Sequence, residues 1–211
     1  FVLLFLLLID FMHMRNVVWM LFAFLILSSN TYIKDSDVKS TPKIVETKKV
    51  LESNKSDAIN KEYIDLHQIY SAQYQNFPDI KVLKLALDGF YIMKTKGHVK
   101  KDILTLIDFS TSSNSKRLWV LDLANQTVLY NSLVAHGRNS GDEFATKFSN
   151  KPESFQSSLG FYATGEIYQG KHGFSLRLDG LEKGLNDQAR SRAVVIHGAD
   201  YVAEKFIKQN K

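Results

Sequence analysis

From Asp102 to Gly198 the sequence breaks into short apolar runs of strand length, each closed by turn-forming residues. No other feature restricts the fold as strongly. DILTLIDF (Asp102–Phe109) leads into the polar stretch STSSNSK, and RLWVLDL (Arg117–Leu123) and TVLYNSLVAHG (Thr127–Gly137) flank Ala-Asn-Gln, which predicts a hairpin. SLGFYATGEIY (Ser158–Tyr168), FSLRLDGL (Phe174–Leu181) and AVVIHG (Ala193–Gly198) continue the series. Helical spacing comes earlier, in Ile59, Tyr63, Leu66 and Tyr70. It returns after Pro78 in Ile80, Leu83, Leu87, Phe90 and Tyr91, with Gly97 as a C-terminal stop. Both apolar stripes read as core packing rather than as a ligand box, and Tyr201–Gln209 predicts a short last helix.

The expected fold is mainly β within the α+β class. A β-rich domain over 56–211 has helices at about 57–97 and strands at about 102–211. A loop of 20 residues, RNSGDEFATKFSNKPESFQS, interrupts it. Loops of that length are uncommon in compact domains unless they serve a function.

The N-terminus carries export anatomy. Phe1–Ile9 is continuously apolar, and Met14 then opens a basic MRN, an apolar Val17–Leu27 and a polar SSN. Residues 1–29 are therefore expected to be a signal peptide or membrane anchor, with 1–13 either upstream reading frame or part of a longer anchor. The span is short for a membrane helix, and no A-x-A-like cleavage site follows. Asn30–Lys55 is polar, Ser/Thr/Lys-rich and aperiodic, and is expected to be a linker.

Net charge is +5, from 27 basic and 22 acidic residues interspersed along the chain. No dense basic face interleaved with aromatics appears, so nucleic acid is not an expected partner. The absence of cysteine excludes disulfides, thiolate metal sites and cysteine nucleophiles within these 211 residues.

Three His-Gly pairs are the chemical candidates: His136-Gly137, His172-Gly173 and His197-Gly198. Each falls at a strand end or turn, where a scaffold exposes functional side chains. A glycine beside the histidine lets a substrate backbone approach. Two chemistries fit. One is a three-histidine zinc site serving a hydrolase. The other is a Cys–His acyl-transfer site.

The order of segments resembles the murein L,D-transpeptidase catalytic domain family, of the YkuD-like kind. The residues that carry it are LALDGFY, LIDFSTSSNSKRLWVLDL, VAHGRNSG, ATKFSN and SSLGFYATGEIYQGKHGFSLRLDGLEKGLNDQARSRAVVIHGADYV. The resemblance implies a cysteine peptidyltransferase of the cell envelope, exported and free of cofactor, that acts on peptidoglycan stem peptides by crosslinking or by carboxypeptidase trimming. It makes His197 the base that activates the cysteine. It puts His136, Ser158, Gly160, His172 and Gly198 along the substrate cleft, with Arg138 and Arg177 as possible partners of stem-peptide carboxylates. The family's Ser/Thr-x-Gly-Cys type motif belongs after VIHGADYV, and the sequence reaches Lys211 without it. Because the first residue is Phe rather than Met, a sequence cut at both ends is expected, with a non-catalytic wall-binding module as the rival.

Overall fold

The computed structural model describes residues 3–8 and 42–210. Its elements in chain order are β1 (Leu3–Leu8), α1 (Pro42–Gln73), α2 (Ile80–Thr95), β2 (Ile103–Asp108), β3 (Leu118–Asp122), β4 (Thr127–Ser132), β5 (Gly160–Gly170), β6 (Gly173–Gly180), β7 (Val195–His197) and α3 (Glu204–Asn210). The seven strands form one sheet in the order β4-β3-β2-β1-β5-β6-β7, so the fold is α+β. Only the β1–β5 pair is parallel; the other pairs are antiparallel. Residues 1–11 and 63–211 cluster as one unit and 12–62 as a second, of which the described part is helical over 42–62.

Alternation along the strands sends side chains to two separate cores. Leu104, Leu106, Trp119 and Leu121 meet Tyr63, Leu66 and Tyr70 of α1 and Val82, Leu83, Ala86, Leu87 and Phe90 of α2. On the other face Ile107, Phe109, Tyr162 and Leu178 pack with Ala145 and Ala189 from the loops. Such a sheet, covered on both sides, needs apolar residues on both faces of its inner strands. That accounts for the runs LTLI and FYAT. Aromatic edges complete the helical side, where Phe77 lies 5.2 Å from the Trp119 ring and 5.4 Å from that of Tyr70.

α2 starts where Asp79 caps it, its carboxylate accepting from the Lys81 N–H at 2.8 Å. It ends at Lys96–Gly97, where Gly97 turns left-handed with φ of 76°. Gly89, inside the same helix, has another reason to be glycine. A Cβ there would overlap the Phe161 ring of β5. Gly89→Ala should therefore lower stability. Overpacking costs about 1–3 kcal/mol, against a helix preference of about 1 kcal/mol for Ala over Gly. Chemical denaturation checks this, and pairing the change with Phe161→Leu should recover most of the loss. A melting temperature raised by Gly89→Ala alone would contradict the contact.

Burial also fixes two phenols. Tyr70, whose OH donates to the Asp122 carbonyl at 3.2 Å, is held well above the usual phenol range by burial. Tyr162, donating to the Ser158 carbonyl at 3.0 Å, is pushed up to about 12, again chiefly by burial.

The structure adds to the expected boundaries in three places. Leu3–Leu8, within the stretch expected to be an export segment, is a strand of the sheet; residues 9–29, with the rest of that segment, lie outside the described residues. α1 begins at Pro42, within the stretch expected to be linker. β4 ends at Ser132 and β7 spans only Val195–His197, so VAHG and Ala193–Val194 are loop. Among the described residues no helix is long and apolar enough to cross a membrane.

Candidate active site at the end of strand β7

β7 ends at His197 because Gly198-Ala199-Asp200 leads the chain into a turn. In register, His197 lies opposite Ser175 of β6, and Ser175 lies opposite Tyr168 of β5. The three residues form one row across the sheet on a common face. The β5–β6 hairpin closes through Lys171-His172 between Gly170 and Gly173, and Gly173 takes a φ of 87°. That tight turn brings His172 onto His197. Their ring centroids are 4.7 Å apart and the planes differ by 18°.

His197 Nδ1 lies 2.8 Å from the Gly198 carbonyl oxygen. A carbonyl has no proton to give, so Nδ1–H is the donor. In the neutral ring Nε2 then carries the lone pair, the form a general base requires. A Cβ on Gly198 would meet nothing within 4 Å, so the space beside the base is open.

Charged residues are arranged along the same face. The Arg177 guanidinium sits 4.4 Å from the Tyr168 ring centroid, and its Nε reaches Glu166 at 2.9 Å. Arg190 joins Glu166 to Asp179, with Nη1 2.9 Å from Glu166 Oε1 and Nη2 2.7 Å from Asp179 Oδ2. Hydrogen bonding from Arg190 holds the Glu166 carboxyl below the usual carboxylate range. The Arg177 charge thus already has a carboxylate partner inside the domain.

His136 is placed differently. Its Nδ1 accepts from Arg117 Nη2 at 2.8 Å, and its Nε2 donates to the Gly141 carbonyl at 3.0 Å. Both ring nitrogens are used. Arg117 is itself buried, giving hydrogen bonds to the carbonyls of Val134 and Thr111, with its guanidinium 5.0 Å from the Phe109 ring centroid. Burial lowers the basicity of that guanidinium, and nearby Asp108 works against the shift. Gly137 is glycine for the chain's own sake, since a Cβ would come within 2.5 Å of the Phe155 carbonyl oxygen. A three-histidine metal site is therefore not assembled: His172 and His197 meet, and His136 is occupied elsewhere. Among the described residues no group of three or more His, Cys, Asp or Glu could hold a metal ion.

Ser158 and Gly160 also have internal partners. The Ser158 hydroxyl donates to the Ser149 carbonyl at 2.8 Å and accepts from Arg192. Gly160 takes a φ of 108°, and a Cβ there would overlap Glu182, whose carboxylate accepts from the Phe161 N–H at 2.7 Å. Buried Asn186 secures the same turn by donating to the carbonyls of Leu159 and Phe161. Arg138 stacks 3.8 Å from the Phe155 ring centroid.

The sequence model of the L,D-transpeptidase catalytic domain matches residues 75–211, a stretch that contains α2, β2 to β7 and all three His-Gly pairs. The chain belongs to the L,D-transpeptidase catalytic domain family. No curated protein and no solved structure gives a match. Domains of this family act on peptidoglycan stem peptides and are typically enzymes of the cell envelope.

Sequence reasoning passed over two arginines that shape this L,D-transpeptidase domain. Arg117 opens the LWVLD strand, and Arg192 stands directly before AVVIHG. An arginine at the foot of an apolar strand is the only signal either offered. Arg192 donates through Nη1 to the Ser149 carbonyl at 2.7 Å, and through Nη2 to Ser154 Oγ at 3.0 Å and the Gln156 carbonyl at 2.6 Å. Buried Ser140 braces the other end of the long loop. Its carbonyl accepts from Thr146 and Lys147, and its hydroxyl from the Ser157 N–H. The 20-residue loop is thus a braced structure.

Arg192→Ala removes charge-assisted bonds worth about 1.5–3 kcal/mol each and leaves the half-buried Gln156 carbonyl without its donor. The variant should lose at least about 2 kcal/mol of stability. Limited proteolysis should cut it first between residues 149 and 157. Unchanged cleavage rates there would show that the loop is held by other contacts.

Proposed function

We propose that the domain binds peptidoglycan stem peptides along the ends of β5, β6 and β7, and that His197 is the general base of cysteine acyl transfer. The observation that carries this reading is the His197 tautomer: Nδ1–H tied to the Gly198 carbonyl, Nε2 left with its lone pair, and open space beside Gly198. The family match supplies the substrate class. In the proposed reaction Nε2 takes the proton of a cysteine thiol, and the thiolate attacks the carbonyl between an L-centre and a D-residue of the donor stem. The imidazolium returns the proton to the departing amine, the D-residue leaves and a thioester remains. An amine of a second stem then displaces the thiolate to give a crosslink, while water gives trimming.

The 211 residues supply the base half of this chemistry and no thiol. In the family the cysteine comes from the Ser/Thr-x-Gly-Cys motif that follows the VIHGADYV segment. Export to the cell envelope, with Val17–Leu27 as the apolar export segment, belongs to the same proposal. In it His172 flanks the bound stem through its contact with His197. Ser158, Gly160 and His136 shape the cleft through the loops they brace.

A stem tetrapeptide titrated into the purified chain tests substrate placement without any turnover. Imidazole resonances of His197 and His172 should shift saturably. His67, on α1 and bonded to the Pro78 carbonyl at 3.0 Å, should not move. Saturable binding that shifts neither His197 nor His172 would place the peptide elsewhere and leave a wall-binding module as the better description.

A further inference from the structure

We propose that a cavity beside strand β3 is a sugar site that takes one N-acetylated hexosamine ring of a glycan. The cavity has a volume of about 520 Å³ and is lined from the α1–α2 connection, the end of β2, the 111–117 loop and β4. A space of that order suits a small ligand. Phe77 and Pro78 give it an apolar wall, and Asp108, Trp119 and Asn131 offer polar groups. β3 lies near the opposite edge of the sheet from β7, so the cavity is separate from the His197 row.

Unused hydrogen-bonding groups carry the assignment. Asp108 is only 5% exposed, and its Oδ1 accepts from both the N–H and the hydroxyl of Ser110, at 2.9 and 2.6 Å. Among the described residues Oδ2 has no hydrogen-bond partner. Trp119 is 1% exposed, and its indole N–H donates to nothing among them. Asn131 donates through Nδ2 to the Lys116 and Leu118 carbonyls, at 3.2 and 3.1 Å, and its Oδ1 is likewise unused. No fully buried side-chain polar atom among the described residues lacks a partner. The three groups therefore reach open space, and the cavity they line supplies it.

Two open acceptors and one open donor beside an apolar wall match a neutral ligand that carries hydroxyls and an amide. Sugar hydroxyls donate to the carboxylate, the acetamido carbonyl accepts from the indole N–H, and the acetamido methyl lies on Phe77 and Pro78. An anion fits worse, because both cations at the cavity are engaged. Arg117 gives its donors to Val134, Thr111 and His136, and Lys116 Nζ lies 3.4 Å from Glu204. A metal ion fits worse again, since no group of three or more His, Cys, Asp or Glu among the described residues could hold one. The wall glycan as source rests on the proposed peptidoglycan substrate, whereas the cavity's chemistry stands without it.

Trp119 itself reports occupancy. Trp19→Phe leaves it the chain's single tryptophan, so its indole N–H resonance can be followed in the full chain while chitotriose, a trimer of N-acetylglucosamine, is added. The resonance should shift saturably. Maltotriose, which has the hydroxyls without the acetamido groups, should bind at least about tenfold more weakly, because the indole N–H is then left without its acceptor. Asp108→Asn, which replaces a charged acceptor by a neutral one, should weaken chitotriose binding by at least about tenfold, roughly the loss of one charge-assisted bond. Ser115→Tyr should block the cavity from its exposed rim without disturbing a buried group, which keeps the test open if Asp108→Asn does not fold. No saturable shift in the folded chain overturns the proposal, as do equal affinities for the two trisaccharides or a chitotriose affinity that neither substitution changes. The titration is independent of the tetrapeptide shifts at His197 and His172, so loss of those alone fells the stem-peptide reading and leaves the sugar site standing.

Discussion

No covalent adduct is expected when the 211-residue chain is incubated with a carbapenem or a stem tetrapeptide. Intact-mass spectrometry should return the unmodified mass at every time point. The chain holds no thiol, and a thioester needs one. Imidazole is a poor substitute, because an acyl-imidazole hydrolyses readily and does not accumulate as a stable acyl-enzyme. His197 is placed to take a proton, with Nε2 unengaged among the described residues and Nδ1 tied to Gly198. A stable adduct mapping to His197, Ser158 or any other residue of this chain would overturn the cysteine-based chemistry. The same incubation with a chain extended through the Ser/Thr-x-Gly-Cys motif should give a stoichiometric mass increase. The contrast between the two is all or none.

In that extended chain, His197→Ala should slow acylation by at least about a hundredfold, the lower end of what positioned acid–base groups contribute. The fold should survive, because His197 ends a three-residue edge strand and is only half-buried. The pH at which the thiol reacts with a small alkylating agent should rise toward that of free cysteine, roughly 8.5. His136→Ala should behave differently. It takes away the acceptor for buried Arg117 and the donor to Gly141, so its first effect is lost stability. His172→Ala removes the ring stacked on His197 and should weaken substrate use without moving the thiol titration. If His136→Ala or His172→Ala shifts that titration and His197→Ala does not, the base has been misassigned.

Much of the fold was legible in the sequence because strand patterning is local. LTLI in β2 and LWVL in β3 alternate with period two, and their faces separate into two cores as that period requires. The linker expected at Asn30–Lys55 shows the limit. Ser/Thr/Lys-rich sequence gives no apolar stripe, so periodicity could not reveal that α1 starts at Pro42. β1 shows it again from the opposite side. A run of apolar residues near a basic MRN fits an export segment and an inner strand equally well, since both exclude polar groups from their surroundings.

The three His-Gly pairs separate what the sequence settled from what it could not. By itself the sequence determined the α+β class, the family and the presence of a histidine at the end of the last strand, because each rests on residue order within one segment. Which histidines meet was decided only by tertiary structure. His172 reaches His197 through the β5–β6 turn and the β6–β7 register, and His136 is claimed by Arg117 from one side and Gly141 from the other. The same dipeptide therefore serves three environments: Gly137 packs against Phe155, Gly173 supplies a left-handed turn, and Gly198 faces open space. A dipeptide fixes the chemistry it can offer, but its partners come from residues far away in the chain, brought close by pairing and packing that no local pattern encodes.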